Sequence, residues 1–346
     1  MIPKTKKYTL YYKNQNYIIN TTEKRMGGIL MAKVAVVKMP KSKNGTVLLK
    51  KLWEQRGLQL MAVPGLIWIL VFNYIPMAGL VIAFKKFKIT ESIFSGEWVG
   101  LKYFKEFIQD TNFASIMTNT LGISLLKLVI GFPLPIIFAL LLNEIRGTRF
   151  KKLTQTISYL PHFLSWVVLG GIMVSWLSKE GVINDFLVAM NIIKEPISLL
   201  GEPKYFWGIA LISDTWKEMG WSAIIYLAAI AGVDQQLYEA ATVDGATKLQ
   251  KIKAITIPCI AGTIAIMLIL QVASLLNSNF DQILILKNQI NIERSQVIDT
   301  YVYQVGMTMG KYSYATAVGL FKSVIALFLL LVSNTVSKKF LGRSLY

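Results

Sequence analysis

The chain has 346 residues, of which 54% are apolar and only 16% are charged. Soluble domains carry about 25% charged residues, so much of this chain must face something other than water. A formal net charge of +18 at pH 7 suggests nucleic-acid binding, but 13 of the 37 Lys and Arg residues precede position 58, next to the first apolar run. Such a cluster suits the positive-inside rule and anionic lipid headgroups better. Composition therefore indicates a multi-spanning membrane protein that does not bind nucleic acid.

Rare residue types exclude several kinds of site. The single cysteine, Cys259, excludes an internal disulfide and a multi-cysteine metal site, and the single histidine, His162, excludes a histidine-cluster metal centre. The chain also lacks the G-x4-G-K-[ST] loop that cradles nucleotide phosphates. We therefore expect no metal and no cofactor on this chain. The first apolar run is too long for a cleaved signal peptide and should remain in the protein.

The chain divides into four predicted regions. Residues 1–52 lack periodicity, which predicts a basic, cytoplasmic and partly disordered segment. Residues 53–115 are predicted to form the first transmembrane helix and an extracytoplasmic cap loop, with an amphipathic helix near 100–109. Residues 116–337 form the predicted membrane core, and residues 338–346 form a cytoplasmic tail.

Apolar runs predict six transmembrane helices in an all-α membrane protein. The uncharged runs Leu58–Phe84 and Ala254–Phe280 each contain 27 residues, which as helices reach roughly 40 Å and can cross a ~30 Å hydrocarbon core with some tilt. Lys127 and Lys322 interrupt two of the other spans, where we expect them to snorkel or pair. Loss of the fourth span, which contains charged residues, would leave five spans with the termini on opposite faces. The spans are 58–84, 116–143, 153–178, 205–231, 254–280 and 313–337.

Loop charges predict the orientation of these spans. The segments on the side of the N-terminus carry 23 Lys and Arg residues, and the loops on the other side carry 11. The positive-inside rule therefore places both termini, the 144–152 connection and the 232–253 loop in the cytoplasm.

Polar residues inside the fourth and fifth spans are candidates for a substrate pathway, because such residues are costly in a membrane and tend to face a cavity. Asp214, Lys217 and Glu218 share one helical face. Alternatively, Asp214 and Lys217 pair with each other or across a subunit interface, and Trp216 and Trp221 are interfacial anchors rather than rings that stack on a ligand. The full candidate set is Asp214, Trp216, Lys217, Glu218, Trp221, Gln271, Ser274, Asn277, Asn279 and Asp281.

The 232–258 loop carries a spaced motif. Helical periodicity predicts a short amphipathic helix around Glu239, and Gly245 permits a backbone angle that lets a second helix leave steeply. Asp244 is a candidate cap for that second helix, and Pro258 fixes the entry to the next span. The residues Glu239, Ala240, Ala241, Gly245, Ile255 and Pro258 match E-A-A-x3-G-x9-I-x-L-P, with Ile257 in place of the final Leu.

This motif resembles the EAA loop of bacterial ABC importer membrane subunits. Further stretches, from about residue 52 to 337, are similar to LplB-type polysaccharide importer permeases of the maltose-permease-like family. They are Tyr159–Trp166, Asp214–Lys217, Ile298–Tyr303 and Ala315–Ser323.

The resemblance implies a type-1 ABC importer permease in a bacterial cell membrane, not an enzyme. It implies a heterodimer with a second permease, two ATPase subunits that bind ATP and Mg²⁺, and an extracytoplasmic lipoprotein that delivers an oligosaccharide. The 232–258 loop would couple the ATPases to transport through Glu239, Ala240, Ala241, Asp244, Gly245, Ile255 and Pro258. An ion-driven secondary transporter that uses Asp214 and Glu218 is the alternative, and a membrane-embedded enzyme is a weaker one.

Overall fold

The structure is a computed structural model that describes residues 6–11, 17–26, 29–38, 53 and 55–341. The chain forms two compact units, Met1–Met77 and Ala78–Tyr346. The predicted tail at 338–346 lies mostly outside the described residues.

The first unit contains a three-stranded antiparallel sheet that sequence analysis did not predict. Its strands are β1 Lys6–Tyr11, β2 Tyr17–Met26 and β3 Ile29–Lys38, in the order β1-β2-β3. Tyr, Ile, Thr and Val residues are frequent in these segments and favour a pleated backbone. The unit also contains helix α1, Arg56–Ile69, which continues through a π-helical turn at Leu70–Tyr74 to Ile75–Met77.

The second unit is helical in its described part, apart from one isolated β-bridge between Lys85 and Trp98. A 3₁₀ turn at Ala78–Phe84 leads into the cap loop, where the expected amphipathic helix is α2. In chain order the helices are α2 Lys102–Ile108, α3 Phe113–Leu126, α4 Pro133–Glu144, α5 Thr148–Tyr159, α6 Trp166–Trp176, α7 Val182–Ala189, α8 Phe206–Ala231, α9 Gln235–Val243, α10 Lys248–Lys251, α11 Ile257–Ala273, α12 Phe280–Leu286, α13 Ile292–Ser295, α14 Ile298–Tyr303 and α15 Tyr312–Leu341.

Four helices in the described part of the chain are long and apolar enough to cross a membrane. They are Gln59–Phe84, Phe113–Glu144, Lys248–Ala273 and Tyr312–Thr335. A fifth crossing is possible if Thr148–Phe163 and Trp166–Trp176 form one span, although these two helices meet at 99°. The sixth expected crossing is α8, which has 26 residues but carries Asp214, Lys217 and Glu218. The crossing by α8 therefore stays a prediction, while length and apolarity support four or five.

The loops of the second unit gather at two ends. Ser115 Oγ donates to Glu293 O at 2.9 Å, and Asn288 Nδ2 donates to Leu200 O at 3.0 Å. These bonds join the loops that follow the first, third and fifth predicted spans. The other loops meet where Lys248 Nζ lies 3.1 Å from Glu144 Oε2. The loops after the first, third and fifth predicted spans thus lie at one end, and the loops after the second and fourth lie at the other. This is expected if each predicted span connects the two ends.

Helix α8 is at the centre of the second unit. Phe206 and Ala210 are buried with Ile123 and Ile283, which attaches the first half of α8 to α3 and α12. The second half packs through Ala223, Tyr226 and Ile230 against α4 and α11, in a cluster with Ala139 and Ile260. The buried face of α8 is therefore packed against helices that precede it and helices that follow it in the sequence.

A glycine allows α5 to contact α8 directly. A Cβ on Gly220 would lie 2.1 Å from the carbonyl oxygen of Ser158, whereas a Cβ on Gly208 of the same helix would meet no atom within 4 Å. Gly220→Ala is expected to destabilise the protein by about 1–3 kcal/mol, as overpacked cores do. Thermal unfolding of the detergent-solubilised protein measures this, with Gly208→Ala as the control. Equal melting temperatures for the two variants would contradict the close contact.

Candidate functional site

The charged residues of α8, Asp214, Lys217 and Glu218, form a short stripe in the middle of this 26-residue helix. Asp214, Glu218 and Trp221 follow one another at helical spacing and share a face, and Lys217 is beside them with 5% of its surface exposed. Trp216 points to the other side of the helix and is 44% exposed. Of the two candidate tryptophans, only Trp221 therefore accompanies the charged groups.

Asp214 pairs with Lys127 and not with Lys217. Lys127 Nζ lies 3.2 Å from Asp214 Oδ2 and donates to Gln282 Oε1 at 3.0 Å. Asn279 Nδ2 donates to Asp214 Oδ1 at 2.8 Å. The alternative pairing of Asp214 with Lys217 is wrong, because Lys127, the first residue of the π-helical segment after α3, is the cation beside Asp214.

Lys217 and Glu218 instead hold the break between α5 and α6. Lys217 Nζ donates to the carbonyl oxygen of His162 at 2.7 Å and lies 3.2 Å from Glu218 Oε1. His162 Nδ1 is 2.7 Å from Glu218 Oε2, and its ring stacks on Trp221 with centroids 4.4 Å apart. The carbonyl groups at the end of a helix attract cations. The broken helix is thus anchored to α8 by one cation, one carboxylate and one aromatic ring.

A cavity of about 220 Å³ opens beside this stripe. Its lining includes Lys127, Asp214, Glu218 and, from α11, Gln271. The structure therefore brings four candidate residues of the predicted pathway together. Asp214, Glu218 and Gln271 line the cavity, and Asn279 donates a hydrogen bond to Asp214. Asn277, Ser274 and Asp281 are exposed and do not line this cavity.

Sequence reasoning missed two residues of this site and left the partner of a third open. His162 and Gln282 were assigned no role in it, yet each contacts a charged group of α8 or its ion-pair partner. Lys127 was expected to snorkel or pair, and its partner is Asp214. Gln282 Nε2 also donates to Ala210 O and Ser213 Oγ, each at 2.7 Å. The sequence does indicate that each buried charge needs a partner, because an unpaired buried charge is costly. It does not indicate which residue is that partner, since this depends on tertiary packing.

The 232–258 loop forms the short helix α9 and, after a glycine turn, the start of the continuous helix Lys248–Ala273, whose first turn is α10. Helix α9 contains the Glu239-Ala240-Ala241 sequence and begins at Asp234, whose side chain accepts from Gln236 N. Gly245 follows with φ of +74°, a conformation that glycine adopts freely. Thr247 and Gln250 form the capping box of α10, so the cap expected at Asp244 is wrong. Asp244 instead ends α9.

This two-helix unit is fastened to the membrane helices but presents an open outer surface. Tyr238 Oη lies 2.9 Å from Thr256 Oγ1, and Lys251 Nζ donates to Thr242 Oγ1 at 2.7 Å. Glu239 and Ala240 are exposed, and Val243 is 89% exposed. Pro258 lies in the first turn of α11. The loop is therefore held in place by side-chain hydrogen bonds, and its exposed surface carries apolar and acidic side chains.

A family profile described as "binding-protein-dependent transport system inner membrane component" matches residues 131–342. The chain belongs to this family. It is 40% identical to Protein LplB of Bacillus subtilis over 87% of its length and 97% of that protein. It is 43% identical to the polygalacturonan/rhamnogalacturonan transport system permease protein YteP of the same species, over 86% of its length and 93% of that protein.

A solved structure is also similar. It is the bacterial alginate ABC transporter in complex with an alginate pentasaccharide-bound periplasmic protein, with a TM-score of 0.79 and 38% identity. The likeness covers 86% of this chain and 99% of the matched one. The predicted importer permease fold and the expected LplB-type resemblance are confirmed, and the family is one of membrane components rather than enzymes.

The permease has a second polar cluster at the opposite end from the 232–258 loop. Asp110 Oδ2 accepts hydrogen bonds from Tyr301 Oη at 2.6 Å and Tyr314 Oη at 3.2 Å. Burial alone would raise the pKa of Asp110, but these bonds and the Asn112 backbone N–H hold it below its ordinary value. Burial and the bond to Asp110 raise the pKa of Tyr301. The cluster fastens α14 and α15 to the cap loop.

Tyr301→Phe is expected to lower stability near neutral pH and to weaken its dependence on acid. Because the pKa of Asp110 is depressed in the folded protein, its contribution to stability is present above the unfolded-state pKa of about 4 and is lost as pH falls through the folded-state pKa. Removing one donor raises that folded-state pKa towards the unfolded-state value, so the variant has less of this stability to lose and its unfolding changes less as pH falls below about 4. Thermal unfolding from about pH 3 to 6 measures the shift, with Tyr303→Phe on the same helix as the control. Identical pH profiles for both variants would contradict the role of the Tyr301 hydroxyl.

Proposed function

We propose that this chain is the permease subunit of an ATP-driven importer that carries an oligosaccharide or a polysaccharide fragment across a bacterial cell membrane. The observation that supports this most is the likeness, over most of both chains, to an importer permease crystallised with a sugar-bound periplasmic protein. The name of YteP points to the same class of cargo. Transport would proceed by alternating access of a cavity to the two sides.

The coupling to ATP hydrolysis would occur through the 232–258 loop. The turn at Gly245 sets the angle between α9 and the helix that begins at Lys248. Side-chain hydrogen bonds of Tyr238 and Lys251 join these two helices into one rigid unit. Exposed Glu239 offers a carboxylate to an Arg or Lys of an ATPase subunit, while Ala240 and Ala241 permit close packing. The residues assigned to this contact are Glu239, Ala240, Ala241, Asp244, Gly245, Ile255 and Pro258.

The assembly would contain a second related permease, two ATPase subunits that bind ATP and Mg²⁺, and an extracytoplasmic binding lipoprotein. The loops at 144–147 and 232–247 lie at one end of the second unit and would face the cytoplasm with both termini. The Asp110 end would face the binding protein. Substrate would pass the α8 stripe, where Asp214, Glu218, Trp221 and Gln271 offer hydrogen-bonding groups and an aromatic ring.

Purification of the complex tests this proposal. An ATPase should co-purify with the chain, and ATP hydrolysis in proteoliposomes should rise when a sugar-loaded binding protein is added. Uptake that needs no ATPase and collapses with an uncoupler would support the ion-driven alternative. Asp214 and Glu218, the residues of that alternative, each form an ion pair, with Lys127 and Lys217 respectively.

A further inference from the structure

A second cavity, of about 460 Å³, opens where α8 begins, at the end of the second unit opposite the 232–258 loop. It shares no lining residue with the cavity beside the charged stripe of α8. Its lining combines one indole ring, one proline ring, two cations and one carboxylate, which belong to Trp207, Pro203, Lys204, Arg294 and Glu202.

The indole ring of this cavity is held in one position. Trp207 Nε1 donates to Asn119 Oδ1 at 3.2 Å and to the carbonyl oxygen of Arg294 at 3.0 Å. A Cβ on Gly122 would lie 2.4 Å from Cη2 of Trp207, so the glycine of α3 leaves the space that the ring fills. The indole is therefore already ordered, and a ligand would not have to immobilise it.

The same asparagine fixes the segment that carries Arg294. Asn119 is 1% exposed, and its Nδ2 donates to Glu293 O at 2.8 Å and to Gln296 O at 3.1 Å. The guanidinium of Arg294 lies over the Trp207 ring, with Cζ 5.5 Å from the ring centroid, which is within the range of a cation–π contact. Backbone and side chain of Arg294 are thus both positioned by buried or ordered neighbours.

The guanidinium of Arg294 is a cation without a carboxylate partner. The residue is exposed, and among the described residues it forms no ion pair. Glu293, the adjacent acid, lines the separate cavity beside Asp110. The carboxylate of the cavity itself, Glu202, lies 3.9 Å from Lys204 Nζ. With Glu202 assigned to Lys204, the lining keeps one unpaired positive charge, on Arg294.

These groups together suit a sugar that carries a carboxylate. A guanidinium presents a planar fork of donors that fits both oxygens of a carboxylate. Hydroxyl groups of the same sugar can donate to Glu202, and its apolar C–H groups can contact the Pro203 and Trp207 rings. The volume of about 460 Å³ lies within the roughly 300–1,000 Å³ of small-ligand sites.

We propose that this cavity is an entry site, where Arg294 binds the carboxylate of a uronate unit before the sugar reaches the charged stripe of α8. This inference rests on the proposed function, in which this end of the chain lies outside the cell and meets the incoming oligosaccharide. It adds a site apart from the α8 stripe and names the chemical class of sugar that the site takes.

The test compares sugars that differ chiefly in charge. Trigalacturonate and its trimethyl ester are titrated calorimetrically into the assembled permease–ATPase complex in lipid nanodiscs, without binding protein, and trimannuronate and its trimethyl ester form a second pair. In at least one pair, the wild-type complex is expected to bind the acid at least tenfold more tightly than the ester. Because Arg294 is exposed, this ratio should fall as salt rises from about 0.05 to about 0.5 M.

Three variants assign the preference to one side chain. Arg294→Met removes the guanidinium and should lower affinity for the acid at least tenfold, while affinity for the ester stays within threefold. Arg294→Lys keeps the charge without the planar fork, so it should recover only part of the lost affinity. Lys179→Met is the matched control, because Lys179 is an exposed cation of the loop after the third predicted span and lines neither cavity. Its ratio of acid to ester affinity should equal that of the wild type.

Each contrary outcome has its own meaning. Equal or weaker binding of the acid in both pairs, or no binding of either sugar, overturns the inference and leaves the proposed function intact if a sugar-loaded binding protein still stimulates ATP hydrolysis. A wild-type ratio in Arg294→Met overturns the role of Arg294. If Arg294→Met keeps that ratio and instead weakens attachment of the binding protein to the complex, the cavity is a protein contact and the inference is wrong. No sugar binding together with no stimulation of ATP hydrolysis overturns the proposed function as well.

Discussion

Reversal of one exposed charge, Glu239→Lys, is expected to abolish sugar-stimulated ATP hydrolysis in the reconstituted importer. The side chain lies on the outward face of α9 and is exposed in the isolated chain, so the substitution costs little stability. If an Arg or Lys of the ATPase binds Glu239, a lysine there places two cations together at a desolvated contact, which costs several kcal/mol. ATP hydrolysis and sugar uptake in proteoliposomes measure the loss, and the affinity of the binding protein for sugar should not change.

Gly245→Pro is expected to have the same effect through the backbone. Gly245 has φ of +74°, whereas proline is held near −65°, so the angle between α9 and α10 cannot be kept. Gly232→Ala is the matched control, because Gly232 in the same loop has φ of −84°. Uptake at the wild-type rate in Glu239→Lys or Gly245→Pro would contradict the assignment of this loop as the coupling element.

The 232–258 loop was the part most accessible to sequence reasoning, because its determinants are local. Gly245 was predicted to make the turn, and its positive φ is found there. The cap of the second helix was misassigned to Asp244, since the turn after the glycine is longer than expected and Thr247 takes that position. The motif determines the local structure of the loop, but it does not identify what the outward face of the loop contacts.

The third predicted span shows a limit of hydropathy. Apolarity at 153–178 indicated one helix, but the helix axis turns by 99° between Phe163 and Trp166. Pro161 lies in the 3₁₀ turn Leu160–Phe163 there, and Ser165 caps α6 by accepting from Val168 N. Composition reports whether a segment is apolar, and it carries no information on the direction that a broken helix takes.

The partners of the buried charges were equally inaccessible. Lys127 and Lys322 were expected to snorkel or pair, and pairing is found for both, with Asp214 and Asp299. Which carboxylate each lysine meets depends on how distant helices pack, and a single sequence offers several choices. The strands at residues 6–38 were missed for another reason, since Lys and Glu residues interrupt their apolar pattern.

Removal of the cation at the broken helix is the second change with a large expected effect. Lys217→Met deletes the bond to His162 O and leaves Glu218 without its ammonium partner. Breaking one side of a buried ion pair costs about 3–5 kcal/mol, and we expect the lower end because the Glu218 side chain is 34% exposed. Chemical denaturation in detergent measures the fall in the free energy of unfolding.

A double variant separates lost charge balance from lost packing. Lys217→Met/Glu218→Gln removes both charges and should recover at least half of the stability lost in Lys217→Met, since no carboxylate remains uncompensated. Lys204→Met is the matched control, because Lys204 lies 3.9 Å from Glu202 with 67% of its side chain exposed, and an exposed pair of this kind contributes about 0–1 kcal/mol. Equal losses of unfolding free energy in Lys217→Met and Lys204→Met would show that Lys217 does not stabilise the break between α5 and α6. A double variant less stable than Lys217→Met would show that Glu218 stabilises the break through His162 alone.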